Sequence, residues 1–177
     1  MTGLAGMAAH VARRVERLKK DEPVEALRAR PSYARCALAL PEHFVRGGSV
    51  VEVRFADPAG GLLVPREKAT AEEAAVRAAA AQEDGAKVVA VWVERNFHAG
   101  DWSHLEAVRA ACPELILIAR DIVLDVWQIE RARAAGADAV ELNPEVLGPA
   151  LAATAAAVRQ LGLTPVTFGS GLTVRPA

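Results

Sequence analysis

The chain has 177 residues, 52% of them hydrophobic, and a formal net charge of -1 at pH 7. That length supports one domain with a real core, and the balanced charge lacks the basic footprint of a nucleic-acid binder. Apolar stretches are broken by charges well short of membrane-spanning length, the start turns basic and helical instead of signal-like, and Cys36 and Cys112 lack metal-ligand spacing, so a cytoplasmic protein with buried thiols is expected.

Residues 8–20 place Val11, Val15 and Leu18 on one stripe, which predicts an amphipathic helix. Pro23 opens a second short helix through Leu27. Residues 31–48 are mixed, with Pro41 and Gly47-Gly48 as breakers and His43 read as a loop histidine. Residues 1–48 therefore form an N-terminal helical extension, and 49–177 a single domain.

Strand one is predicted over residues 49–55, where Val51, Val53 and Phe55 alternate with Glu52 and Arg54. A loop from Asp57 follows. Thr70 caps a helix with Glu73 in capping-box position. Strand two covers 87–93, and a helix from about Trp102 turns Leu105 and Val108 inward. Residues 115–142 read as strand, helix, strand: an apolar run over 115–119, then Asp125 with Gln128 as capping-box partner, then Gly136 as the stop and a strand from Ala139. An alanine-rich helix over 149–161 leads to a weak fifth strand over 164–168, and Gly169-Ser170-Gly171 reads as a glycine turn that could imitate a phosphate nest.

Five strands with helices in all four gaps predict an α/β fold with a parallel sheet and right-handed crossovers. An open doubly wound sheet and part of a (β/α) barrel both fit. The alternation in strand one favours the barrel, because a doubly wound sheet more often buries apolar residues on both faces.

Three stretches carry a family likeness: Val51-Glu52-Val53-Arg54-Phe55-Ala56-Asp57-Pro58; Phe97-His98-Ala99-Gly100-Asp101; and Arg120-Asp121-Ile122-Val123-Leu124-Asp125-Val126-Trp127-Gln128-Ile129, with Gly136-Ala137-Asp138-Ala139-Val140 behind it. In order and spacing they resemble the indole-3-glycerol-phosphate synthase family, phosphate-binding TIM-barrel enzymes of tryptophan biosynthesis. The resemblance implies an incomplete (β/α) TIM-type barrel of about five parallel strands, C-terminally shortened by three β/α units. If the chain is an enzyme, it implies a carbon–carbon lyase of that type. No cofactor is expected, and His98 and His104 lack partners at metal-ligand spacing.

The departures from the family matter for chemistry. The family's lysines on strands one and three, the latter the general acid, correspond to Arg54 and Arg120. Arginine keeps its proton at any working pH, so it can pair with a carboxylate or phosphate but cannot donate and recover a proton as lysine does. The strand-one glutamate is kept as Glu52, and the strand-five glutamate corresponds to Thr167. Asp57 replaces a serine, and Glu141 and Asn143 occupy the inner phase of a strand that is normally apolar there.

The expected catalytic set is thus Glu52, Arg54 and Arg120, with Asp57, Trp92, Glu94, Glu141, Asn143 and Thr167 toward a substrate. One reading is a buried ion network that pairs its own charges. The other is a pocket for a small anionic, aromatic metabolite. Function follows three lines: a divergent relative that has lost the parent ring-closing decarboxylation and binds or alters a carboxylated or phosphorylated metabolite; a synthase completed by another chain; or a non-catalytic partner protein. No nucleic-acid or membrane partner is expected. Five strands cannot close, so strands one and five are expected to be open edges and Ile116, Ile118, Ala139 and Trp92 an apolar patch, which together predict a homodimer.

Overall fold

The computed structural model describes residues 3–42, 44, 49–168 and, as backbone strand, 173–176. His43, the breaker Gly47-Gly48 and the Gly169-Ser170-Gly171 turn lie outside the described residues.

The barrel strands are β1 (Ser49–Val53), β2 (Val88–Trp92), β3 (Ile116–Arg120), β4 (Ala139–Glu141), β5 (Thr164–Val166) and β6 (Thr173–Pro176). They form one six-stranded sheet in the order β5-β4-β3-β2-β1-β6, and every pairing is parallel. Helices fill each gap up to β5: α3 (Ala71–Glu83); α4 (Arg95–His98) and α5 (Trp102–Ala111); α6 (Val126–Ala134); then α7 (Pro144–Leu147) and α8 (Leu151–Gln160). The intervening helices are the crossovers that parallel strands need, and the architecture is that of an incomplete TIM-type barrel.

The two sheet faces follow the alternation in the sequence. Val51, Val53, Val89, Val91, Leu117, Ala119 and Val140 pack outward with the helices. Val50, Val88, Ala90, Ile118, Ala139 and Val166 form the inner cluster. Inner-phase polar residues begin only towards the carboxyl ends of the strands, at Glu52, Trp92, Arg120 and Glu141, which concentrates the chemistry at one end of the barrel.

Two expectations about the opening are corrected. Strand one is not an edge: β6 pairs along it from Ser49↔Thr173 to Glu52↔Pro176. The sheet has six strands, not five, because four residues after the glycine turn, too few to signal a strand by periodicity, gain their order from β1. Nor is the inner face an exposed apolar patch. Ile118 and Ala139 are fully buried, Ile116 and Trp92 are half-buried, and Leu40, Phe44 and Phe168 pack onto that cluster. Burying such a face is worth roughly 25 cal/mol per Å², which draws the segment before β1 over it.

The extension begins with α1 (Leu4–Asp21), longer than its apolar stripe suggests, and α2 (Val24–Arg28). Met7, Val11, Val15 and Leu27 pack with Ile122, Trp127 and Ala134. A four-member ionic network ties the extension to the barrel. Arg30 pairs with Glu22 and, at 2.7 Å, with Glu106; Arg131 pairs with the same two carboxylates at 3.0 and 2.8 Å.

Local signals explain the helix that follows the site strand. Asp125 accepts from Trp127 N at 2.8 Å, and Gln128 Oε1 accepts from Asp125 N at 3.1 Å, completing the capping box read from sequence. At the other end Gly136 has φ +90°, and a Cβ there would lie 2.8 Å from Arg109 Cγ. Both conditions call for glycine. Among the described residues, no helix is long and apolar enough to cross a membrane.

Candidate functional site

The carboxyl ends of several strands converge on one guanidinium. Arg120 is the last residue of β3, and the register sets Trp92 of β2 beside it. On the other side Ala119 pairs with Val140, which brings Glu141, the next residue of β4, alongside Arg120.

Glu141 grips the guanidinium side-on. Nε of Arg120 donates to Oε2 at 2.5 Å and Nη2 to Oε1 at 3.1 Å. Nη1 donates to Glu52 Oε1, which also accepts from the Trp92 indole Nε1 at 2.5 Å. The guanidinium lies 4.4 Å from the Trp92 ring centre and 4.3 Å from that of Phe168, within cation–π range of both. The His98 ring stacks on Trp92 at 3.4 Å and 4°. A second arginine extends the cluster: Arg54 Nε lies 3.1 Å from Glu52 Oε2, and its Nη1 donates to Asp57 Oδ2 at 2.6 Å.

Asp57 in turn accepts from the backbone N–H groups of Ala59 and Gly60 at 2.9 and 3.2 Å. Those two bonds, with Arg54 beside them, hold its carboxyl below the ordinary aspartate range despite some burial. The loop it stabilises is a short antiparallel hairpin, Ala56–Asp57 with Gly61–Leu62, that sequence periodicity did not signal.

The structure thus brings Glu52, Arg54, Asp57, Trp92, Arg120 and Glu141 together. The cluster sets three carboxylates against two guanidiniums. Next to it opens a cleft of about 500 Å³ lined by Glu141, Asn143, Glu145, Thr167 and Phe168. Asn143 faces this cleft and also caps α7, its Oδ1 accepting from Glu145 N at 2.9 Å and Val146 N at 3.3 Å.

Glu94 is not brought to the cluster. The chain leaves its strand after Trp92, and Glu94, 0% exposed, caps α4. Its carboxylate accepts from the backbone N–H groups of Asn96, Phe97 and His98 at 2.8, 2.7 and 3.2 Å, with His98 Nδ1 at 3.3 Å. Burial opposes its ionisation, yet the His98 contact and these bonds prevail and keep it below the usual glutamate range.

One residue at the site, Phe168, and one buried acid next to Arg120 in sequence, Asp121, escaped the sequence reading. Phe168 shares the phase of Val166, so alternation alone would have turned it inward; attention fell instead on its neighbour Thr167. Asp121, directly after Arg120, is buried, and burial pushes its carboxyl up to about 6 although Gln128 Nε2 and Ile122 N each donate to it at 2.8 Å. A buried acid with this shift gives no signal in a sequence. Among the described residues, no group of three or more His, Cys, Asp or Glu is placed to hold a metal ion.

The family model for indole-3-glycerol phosphate synthase matches residues 4–167, nearly the whole chain. The chain belongs to the indole-3-glycerol phosphate synthase family. It is 34% identical over 154 residues to the indole-3-glycerol phosphate synthase of Salinibacter ruber, an alignment covering 85% of this chain and 55% of that protein. With the Mycolicibacterium smegmatis synthase it shares 33% identity over 162 residues, 91% of this chain and 57% of that one. With the Aromatoleum aromaticum synthase it shares 34% over 139 residues, 71% and 51%. The chain spans about half the length of these synthases, and the matched family region contains Glu52, Arg54, Asp57, Trp92, Arg120 and Glu141 and ends one residue before Phe168.

Proposed function

We propose that this synthase-family chain does not carry out the parent ring-closing decarboxylation and instead holds a small carboxylated or phosphorylated aromatic metabolite at the carboxyl ends of its strands. One observation carries the reading. The side chain at the family's general-acid position is Arg120, which is bonded to Glu52 and Glu141 and lies over two aromatic rings. Ring closure with loss of carbon dioxide needs an acid that gives up a proton and regains it, and a guanidinium does neither near neutral pH. What a guanidinium does well is pair with a flat anion, and Trp92 and Phe168 supply aromatic surface beside it.

Cys112 is a buried free thiol as expected, whereas Cys36 is an exposed one; two free thiols fit a cytoplasmic location. The test is formation of indole-3-glycerol phosphate by the purified chain. The expected rate is far below the order of 1 per second typical of enzymes, and the Arg54→Lys/Arg120→Lys double reversion stays inactive because Glu141 still occupies the site. Turnover at an ordinary enzymatic rate overturns the proposal. A second reading, a synthase completed by another chain, draws on the matched synthases being nearly twice as long. Complementation of a tryptophan-requiring strain by this chain together with a candidate second chain tests it.

A further inference from the structure

We infer that Glu141 is the specificity-determining residue of this cleft: its carboxylate occupies the fork of Arg120 that a ligand's carboxylate or phosphate would take, so the chain discriminates against simple anions until Glu141 is displaced or neutralised. The inference rests on the reading of Arg120 as an anion-pairing group and adds what controls access to it: the proposed metabolite must displace Glu141 from the fork through its further contacts, which a simple anion lacks.

The geometry is that of an occupied recognition fork. Side-on arginine–carboxylate pairing, with Nε and one Nη each donating to a separate oxygen, is how arginine binds a planar anion from outside. Here both oxygens come from the protein, at 2.5 and 3.1 Å. Neither partner is spare surface charge, since the Arg120 and Glu141 side chains are 10% and 11% exposed. The third guanidinium nitrogen, Nη1, is taken by Glu52. Any incoming anion must therefore exchange with Glu141, whose attachment to the neighbouring strand gives it a high effective concentration at the fork.

The cleft wall points the same way. Its described lining contains two carboxylates, Glu141 and Glu145, together with Asn143, Thr167 and Phe168, and no lysine, arginine or histidine. Among the described residues, the cations of the adjoining cluster, Arg120 and Arg54, already face Glu52, Asp57 and Glu141. An anion entering this space meets like charge before it meets Arg120. A neutral aromatic amide meets the Phe168 ring, Leu142, Pro144 and polar groups without that charge repulsion.

Removing Glu141 reverses that balance. Arg120 would keep Glu52 but lose both Glu141 bonds in a shielded place, where unfilled charged donors are costly. The freed Nε and Nη2 donors have the side-on pattern that a ligand carboxylate would accept from.

The experiment measures benzoate and benzamide binding, two probes of one shape differing in charge, by calorimetric titration of the full chain. The wild type is expected to bind benzoate no more tightly than benzamide. Glu141→Ala and Glu141→Gln are expected to bind benzoate about tenfold or more tightly than wild type, a step of about 1.4 kcal/mol, with benzamide unchanged. Adding Arg120→Met to Glu141→Gln should remove the gain. Should the alanine variant not fold, as judged by circular dichroism, the isosteric glutamine variant carries the test. The inference is overturned if neither variant gains benzoate affinity, if both probes gain equally, or if the gain survives loss of Arg120. None of these outcomes bears on indole-3-glycerol phosphate formation by the wild type, so the failure of this inference and of the proposed function are read separately.

Discussion

Asp138 and Arg109 meet at 2.5 Å behind the sheet, and the aspartate is wholly buried. Both Asp138 oxygens are in use: Oδ2 accepts from Arg109 and from Leu117 N at 2.8 Å, and Oδ1 accepts from Arg35 at 2.5 Å and from Leu38 N at 2.7 Å. One side chain therefore joins β3, α5 and the segment after α2. Asp138→Ala should lower stability by about 3–5 kcal/mol, the usual result of stranding buried partners, as read from urea unfolding. A loss below about 1 kcal/mol would contradict this linkage.

Asp121 predicts a pH dependence. Its folded-state pKa of about 6 lies above the ordinary 3.8, so the folded chain binds a proton that the unfolded chain releases. That contribution is present in full below pH 3.8 and is lost as pH rises through about 6. The span corresponds to about 3 kcal/mol. Compared by urea unfolding at about pH 4 and about pH 7.5, Asp121→Asn should gain on the wild type at the higher pH. A difference that does not change with pH would refute the shift.

Sequence periodicity recovered the face assignment because β1 alternates cleanly: Val51 and Val53 outward, Glu52 inward. It misplaced Glu94 because alternation holds only while the chain remains a strand. Three backbone N–H groups at the start of α4 have a stronger claim on that carboxylate than a sheet face has. Phe168 and β6 were hard to read for a different reason. Their positions depend on contacts with Arg120 and β1, more than forty residues away, and not on neighbours in sequence. The cover formed by Leu40 and Phe44 over the inner face is likewise a tertiary outcome.

Ala99 closes α4 with φ 51°. A residue with a Cβ pays roughly 1 kcal/mol there relative to glycine. Ala99→Gly should raise thermal stability by about 0.5 kcal/mol after the loss of one partly buried methyl group, and Ala99→Val should lower it. Thermal unfolding of the three proteins decides; destabilisation by glycine would contradict the left-handed geometry.

We propose a homodimer that does not use the barrel opening. The inner face is filled, and the terminal strands carry Pro165 and Pro176, which disfavour edge-to-edge pairing. The exposed Leu62 and Leu63 at the hairpin offer the alternative contact. Sedimentation at micromolar concentration should give two chains, moving towards one for the Leu62→Ser/Leu63→Ser double variant. A single-chain mass for the wild type would refute it.

Only six residues, 167–172, separate β5 from β6, yet these strands stand at opposite ends of the sheet. Because β6 lies against β1, as the final strand of a closed eight-stranded ring would, the interval between Val166 and Thr173 is a natural splice point. Further β/α modules grafted there would extend the ring from β5 towards β6 and leave every strand pair already present untouched.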